Sequence, residues 1–153
     1  MAQPVFPASV AYGYDKSTVE EFTPSQTAGE TFMPGDVVTL NAGVVKLAGA
    51  DPTAILGLSQ VDSEAARVLT ADGKIPILVL NSETVVEMCS DTVPVETTHL
   101  GNQYGIVNNG GVWKVDTTDV TNKRVEVVRL NVAEGLWFVK FIAANLQGST
   151  VVS

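Results

Sequence analysis

This chain has little charge, almost no cysteine or histidine, and no long apolar run. Charged residues make up 17% of its 153 positions, against 45% apolar. A composition so apolar and so sparsely charged is that of a folding chain, not a disordered one. Lys plus Arg number 9 against 17 Asp plus Glu, for a net charge of −8. Phosphate binding needs a basic face, so nucleic acid is not an expected partner. A single cysteine, Cys89, rules out a disulfide framework within the chain and fits a reducing compartment. One cysteine and one histidine, His99, cannot supply a zinc site. The longest apolar stretch, Ile75 to Leu80, is six residues against the ~20 of a membrane span, so no membrane partner is expected. Met1-Ala2-Gln3-Pro4 carries no positive charge ahead of an apolar run, so no signal peptide is expected.

What is abundant is Val and Thr, 25 and 15 residues. Both are stiff at χ1 and favoured on a pleated surface, which points to an all-β domain. Residues 1–16 hold Pro4, Pro7, Phe6, Tyr12 and Tyr14 without a helical or strand period. They read as an extended arm, frayed or docked on a neighbour through its aromatic residues. Residues 17–142 read as the β domain. Met33-Pro34-Gly35-Asp36 has Pro and Gly where a type II turn wants them. Asn41-Ala42-Gly43 reads as a three-residue hairpin loop, and Asn108-Asn109-Gly110-Gly111 as a second hairpin turn. Residues 61–73 hold the helix candidate, with Asp62 or Ser63 as N-cap, though Val68-Leu69-Thr70 reads equally as extended. Ile75 to Leu80 is apolar on both faces and reads as a strand covered on both sides. In Val125 to Val132 the apolar positions switch from odd to even, which predicts a β-bulge near Val127-Val128. Trp137, Val139 and Phe141 share one face of the next strand, and Leu136, Phe138 and Lys140 the other. Residues 143–153 read as a tail or a final edge strand. About ten short strands imply a small antiparallel β-barrel or sandwich with at most one short helix.

The search for reactive groups is sparse. A Cys89–His99 pair is conceivable, but a buried thiol and a loop histidine explain the same residues. Asp116-Thr117-Thr118-Asp119 offers two carboxylates to a calcium ion, or caps its own turns. No phosphate-binding glycine motif occurs, and seventeen scattered acids single out no catalytic pair. The expectation is a protein that is no enzyme and carries no cofactor. Lys123 and Arg124, with Arg129 nearby, form a basic cluster on an acidic background. It reads as a solvated face or as a contact for an acidic partner. The two apolar faces of Leu136 to Ile142 suggest self-association, or equally a small helix or loop covering the second face.

The order of the motifs is more informative than any one of them. Ala28-Gly29-Glu30-Thr31-Phe32 precedes Pro34-Gly35-Asp36-Val37-Val38, then Ile55-Leu56-Gly57-Leu58-Ser59. Lys74-Ile75-Pro76-Ile77-Leu78-Val79-Leu80 and Glu83-Thr84-Val85-Val86-Glu87-Met88 follow. Gly101-Asn102-Gln103-Tyr104-Gly105-Ile106 and Trp113-Lys114-Val115-Asp116 complete the series. Over residues 21–130 this order resembles the small capsid decoration (cement) proteins of tailed bacteriophages. The resemblance implies a β-barrel or β-tulip-like domain, made in the host cytoplasm, that binds the outer surface of the virion shell. It would bridge subunits of the major capsid protein and self-associate, with a trimer favoured over a dimer. Expected contact residues are Phe6, Tyr12, Tyr14, Lys123, Arg124, Leu136 and Phe138. A phage tail or tube protein is one alternative. A carbohydrate-binding module is another, with Trp113 or Trp137 as a stacking platform.

Overall fold

Two glycine-bearing hairpins and one proline-glycine turn set the frame of the chain. The computed structural model describes residues 3–12, 18–22, 32–50, 52–60 and 75–147. Among them are β1 (Ser9–Tyr12), β2 (Thr18–Phe22), β3 (Val37–Asn41), β4 (Val44–Leu47), β5 (Gly57–Ser59) and β6 (Ile75–Val79). Next come β7 (Val85–Ser90), a single helical turn α1 (Glu96–His99), β8 (Gln103–Asn109) and β9 (Val112–Asp116). The series ends with β10 (Val125–Asn131), β11 (Leu136–Phe141) and a 3-10 turn at Ala143–Asn145. The protein is all-β, with two sheets in a sandwich-like arrangement. The helix candidate at 61–73 lies outside the described residues.

The first sheet runs β1-β7-β11-β10-β8-β9, and the second β2-β6-β5-β3-β4. Neighbours are antiparallel, except that β9 also pairs in parallel with the end of β7, Cys89 opposite Lys114. That contact links β7, β11, β10, β8 and β9 into a closed circuit. Met88, Ile106, Val127, Trp137, Val139 and Phe141 from the first sheet meet Val37, Leu58 and Leu78 from the second in one core. Burial of such side chains away from water is the main force holding the sheets together.

Strand β6 has the two-faced burial its sequence predicts. Leu78 joins the main core, while Ile75 and Ile77 pack into a second cluster with Phe32, Val38, Val45 and Leu56. Pro76 is the second residue of β6, near the strand start, where a missing N–H is tolerated. Gly57 sits on β5 so close to β6 that a Cβ there would lie 1.9 Å from the Leu78 carbonyl oxygen. The predicted bulge is present: Val127 pairs with Val139 and Arg129 with Phe138, leaving Val128 as the extra residue.

At the type II turn, Gly35 has φ +82° and the Asp36 N–H donates to the Met33 carbonyl at 3.1 Å. The Met33 N–H donates to Asp36 Oδ2 at 2.8 Å, and burial pushes this carboxyl above its ordinary range. The first hairpin differs from expectation. Asn41 pairs with Val44, so the loop is two residues, Ala42 and Gly43, at φ 55° and 85°. A two-residue loop with both residues left-handed follows the twist of the flanking strands, which a right-handed turn would splay.

The arm also differs from expectation, because Ser9–Tyr12 forms a strand. On the same side of β7, β9 pairs only with Cys89 and Ser90. The Val85–Glu87 edge would otherwise be bare, and β1 fills it, with Ser9 opposite Glu87 and Val10 opposite Val86. At the other end of the chain, Leu146 bridges to Ile55. The Gln147 side chain then accepts from the Leu40 N–H and donates to the Leu40 carbonyl, both at 2.9 Å. It acts as a piece of neighbouring strand where β5 is too short to reach.

Candidate interaction surface

The expected contact residues come from three parts of the chain, and the fold treats them differently. Phe6 belongs to a segment laid on the body of its own chain. Gly135 makes room for Gln3 and Pro4, and Gly35 for Pro7 and Ala8. Between these points the Cys89 thiol donates to the Phe6 carbonyl at 3.4 Å. Phe6 is half-buried there. The described part of the arm thus rests on its own sheet. Tyr12 is placed by its backbone opposite Val85. Tyr14 lies outside the described residues.

Lys123 is exposed, but Arg124 is buried. Its Nε donates to the Pro52 carbonyl and its Nη1 to the Lys123 carbonyl at 3.0 Å. Its own N–H donates to Tyr104 and its carbonyl accepts from Ile142, at 2.8 and 2.9 Å. This guanidinium joins the 52–60 segment to the first sheet, a correction to its reading as a surface cation. A buried guanidinium needs such acceptors to offset its lost hydration.

Leu136 and Phe138 do lie on the outer face of β11, yet they do not form an open apolar patch. Phe138 is buried, opposite Glu87 on one side and Arg129 on the other. The Arg129 guanidinium stands 5.0 Å from its ring centroid, a cation–π contact that screens the ring from water. Leu136 is half-buried opposite Asn131. The second apolar face of β11 is thus largely covered within the chain.

Exposed apolar surface gathers elsewhere, at one end of the first sheet. Val93 and Val132 are 56% and 47% exposed and line an open cleft of about 470 Å³. Gln3, Pro4, Ala133, Glu134 and Gly135 complete its walls. Sequence reasoning missed this surface, since Val93 sits in a connection and Val132, which reads as the end of the 125–132 strand, falls just beyond β10. The available signal is a run of loop residues, Val93-Pro94-Val95 and Val132-Ala133, more apolar than turns require.

Cys89, His99, Asp116 and Asp119 are hydrogen-bonded within the chain. Cys89 is fully buried under Phe6. His99 packs against Trp137 and Tyr104, ring centroids 4.9 and 5.9 Å away, and its Nδ1 accepts the Val95 N–H at 2.9 Å. Burial pulls its imidazole below the ordinary value of 6.5. Asp116 Oδ1 accepts from the Thr118 N–H and hydroxyl, and Asp119 Oδ1 from the Thr121 and Asn122 N–H groups. These are self-capped turns. Among the described residues, no three potential ligands gather as a metal site would need. Trp113 is 2% exposed and Trp137 fully buried, so neither offers a platform for a sugar ring. A further pair escaped the sequence reading. Lys114 on β9 is buried and donates to Asp91 at 2.8 Å, and Asn109 donates to the same carboxylate at 3.2 Å. The hydrogen bond from Lys114 holds the Asp91 carboxyl below its usual range.

The fold defines a class, a two-sheet β protein of sandwich-like arrangement. Compared with protein-family models and with curated proteins, the chain matches none.

Proposed function

We propose that this chain is a structural virion protein that binds the outside of a bacteriophage capsid and stabilises it by bridging subunits of the major capsid protein. The observation that carries this reading is where the ordered motifs fall. The described parts of the motif series that resembles decoration proteins fall on the turn before β3, then β3 itself, β5, β6, β7, β8 and β9 of one interlocked body. A cement protein needs such a body, since it strengthens a shell by adding contact area between neighbours without moving parts. Each standard contact buries ~1,200–2,000 Å², and its effect multiplies over every copy on the shell. The cleft at Val93 and Val132 and the exposed Lys123 are the surfaces offered to the capsid or to a second copy. Self-association, as a trimer or a dimer, belongs to the same proposal. The net charge of −8 keeps free copies apart before assembly.

The test is sedimentation of the purified protein with phage heads lacking it, followed by heating. The proposal expects saturable binding and a higher temperature of head disruption. A protein that stays in the supernatant, or leaves that temperature unchanged, overturns it. Attachment to tails in place of heads selects a tail or tube protein.

A further inference from the structure

His99 closes a very small structure onto the core. The α1 turn is four residues long, and no side-chain oxygen caps its N-terminal end at Val95. A lone helical turn has no cooperative stability of its own. Its backbone bonds include the His99 and Thr98 N–H groups to the Val95 carbonyl, at 2.8 and 3.1 Å, and the Leu100 N–H to Glu96 at 3.2 Å, and Asn102 adds its N–H to the His99 carbonyl at 3.1 Å and its Nδ2 to the Thr98 carbonyl at 2.6 Å. The side-chain link that returns to the start of the turn is His99 Nδ1, which accepts the Val95 N–H at 2.9 Å. The same ring is wedged against Trp137 and Tyr104. The indole Nε1–H of Trp137 is buried beside it without a hydrogen-bond partner.

We infer that the 95–100 segment is a proton-operated latch, in which uptake of a proton at His99 Nδ1 breaks the bond from Val95 and frees the turn from Trp137. An Nδ1 that carries hydrogen points a donor at the Val95 N–H donor, so the two repel. The ring cannot turn away in place, because aromatic rings pack on it from β8 and β11. Opening the turn hydrates the imidazolium and brings water to the unpartnered Trp137 Nε1. Few groups compete for control of this proton. From β8 the titratable neighbour is Tyr104, and from β11 the ring that faces His99 is the neutral indole of Trp137. Glu126 and Arg129 on β10 are exposed, and Lys140 shares the outer face of β11 with Phe138. The turn's own acid, Glu96, is exposed.

The sign follows from proton linkage. The open turn holds a histidine near 6.5 and the closed turn holds it lower. Opening is therefore favoured as the pH falls below 6.5, until the closed form also protonates. The test is amide hydrogen exchange on the full chain from pH 7.5 to 5, corrected for intrinsic rates. Protection of the Val95 amide is expected to fall progressively as the pH drops below 6.5, while the paired amides of β7 and β11 keep theirs. His99→Gln, which retains an acceptor without titrating, is expected to give a flat profile. A flat profile in the native chain overturns the latch, as does loss of strand protection in step with Val95. A sloped profile in His99→Gln overturns it too, and if that variant does not fold, the native comparison decides alone.

Discussion

At the scale of single residues, two positions hold the fold by means that a strand pattern does not display. Ala42 stands at φ 55° in an exposed two-residue loop. A left-handed backbone costs an alanine about 1–2 kcal/mol, and asparagine tolerates it far better. Ala42→Asn is expected to stabilise the protein by about 0.5–1 kcal/mol. The check is a higher urea midpoint at unchanged slope; no gain would mean that the loop carries no such strain. Gln147 satisfies both backbone groups of Leu40, across 107 residues of sequence. Gln147→Ala is expected to cost about 1–2 kcal/mol, and Gln147→Glu, which cannot donate, nearly as much. Paired denaturation curves measure both. The Ala42 conformation was half legible, since Gly43 announced the turn but the register set its length. Gln147 was not legible, because nothing local in a polar tail says which distant carbonyl it meets. Arg124 misled for the same reason: a cation beside a lysine reads as surface until the carbonyls it reaches are known.

At the scale of elements, alternation carried most of the information. The bulge at Val128, the double burial of β6 and the type II turn at Gly35 are each local patterns with one geometric solution. The bulge makes a sharp prediction. Without Val128 the order Val127, Arg129, Leu130 alternates in, out, in, matching Val139, Phe138 and Trp137 on β11. Deleting Val128 is therefore expected to leave a folded protein, destabilised by about 1–3 kcal/mol. Deleting Val127 removes a core side chain and is expected to leave little soluble protein. Expression and circular dichroism of the two deletions distinguish these outcomes, and equal behaviour would deny the bulge its role. Strand β1 was hidden because the prolines and aromatics of the arm around it lack a period. It forms on account of the bare edge of β7, a property of the sheet and not of the arm. The cover over Phe138 was equally non-local, supplied by Arg129 across the strand pair.

At the scale of the whole molecule, the closed circuit of the first sheet and the two-sided burial of the second describe a rigid body. Its thiol, imidazole and turn carboxylates bond within the chain. The candidate surface moved from the strand face of Leu136 and Phe138 to the loops around Val93 and Val132. Loops have no period to read, and three of them must meet before a cleft exists. The most direct measurement of the proposed role is a side-chain-resolution density map of intact phage particles. The account predicts that this two-sheet body fits density on the outside of the head, touching more than one major capsid subunit. Heads that are complete without such density, or a fit on the tail, would contradict it.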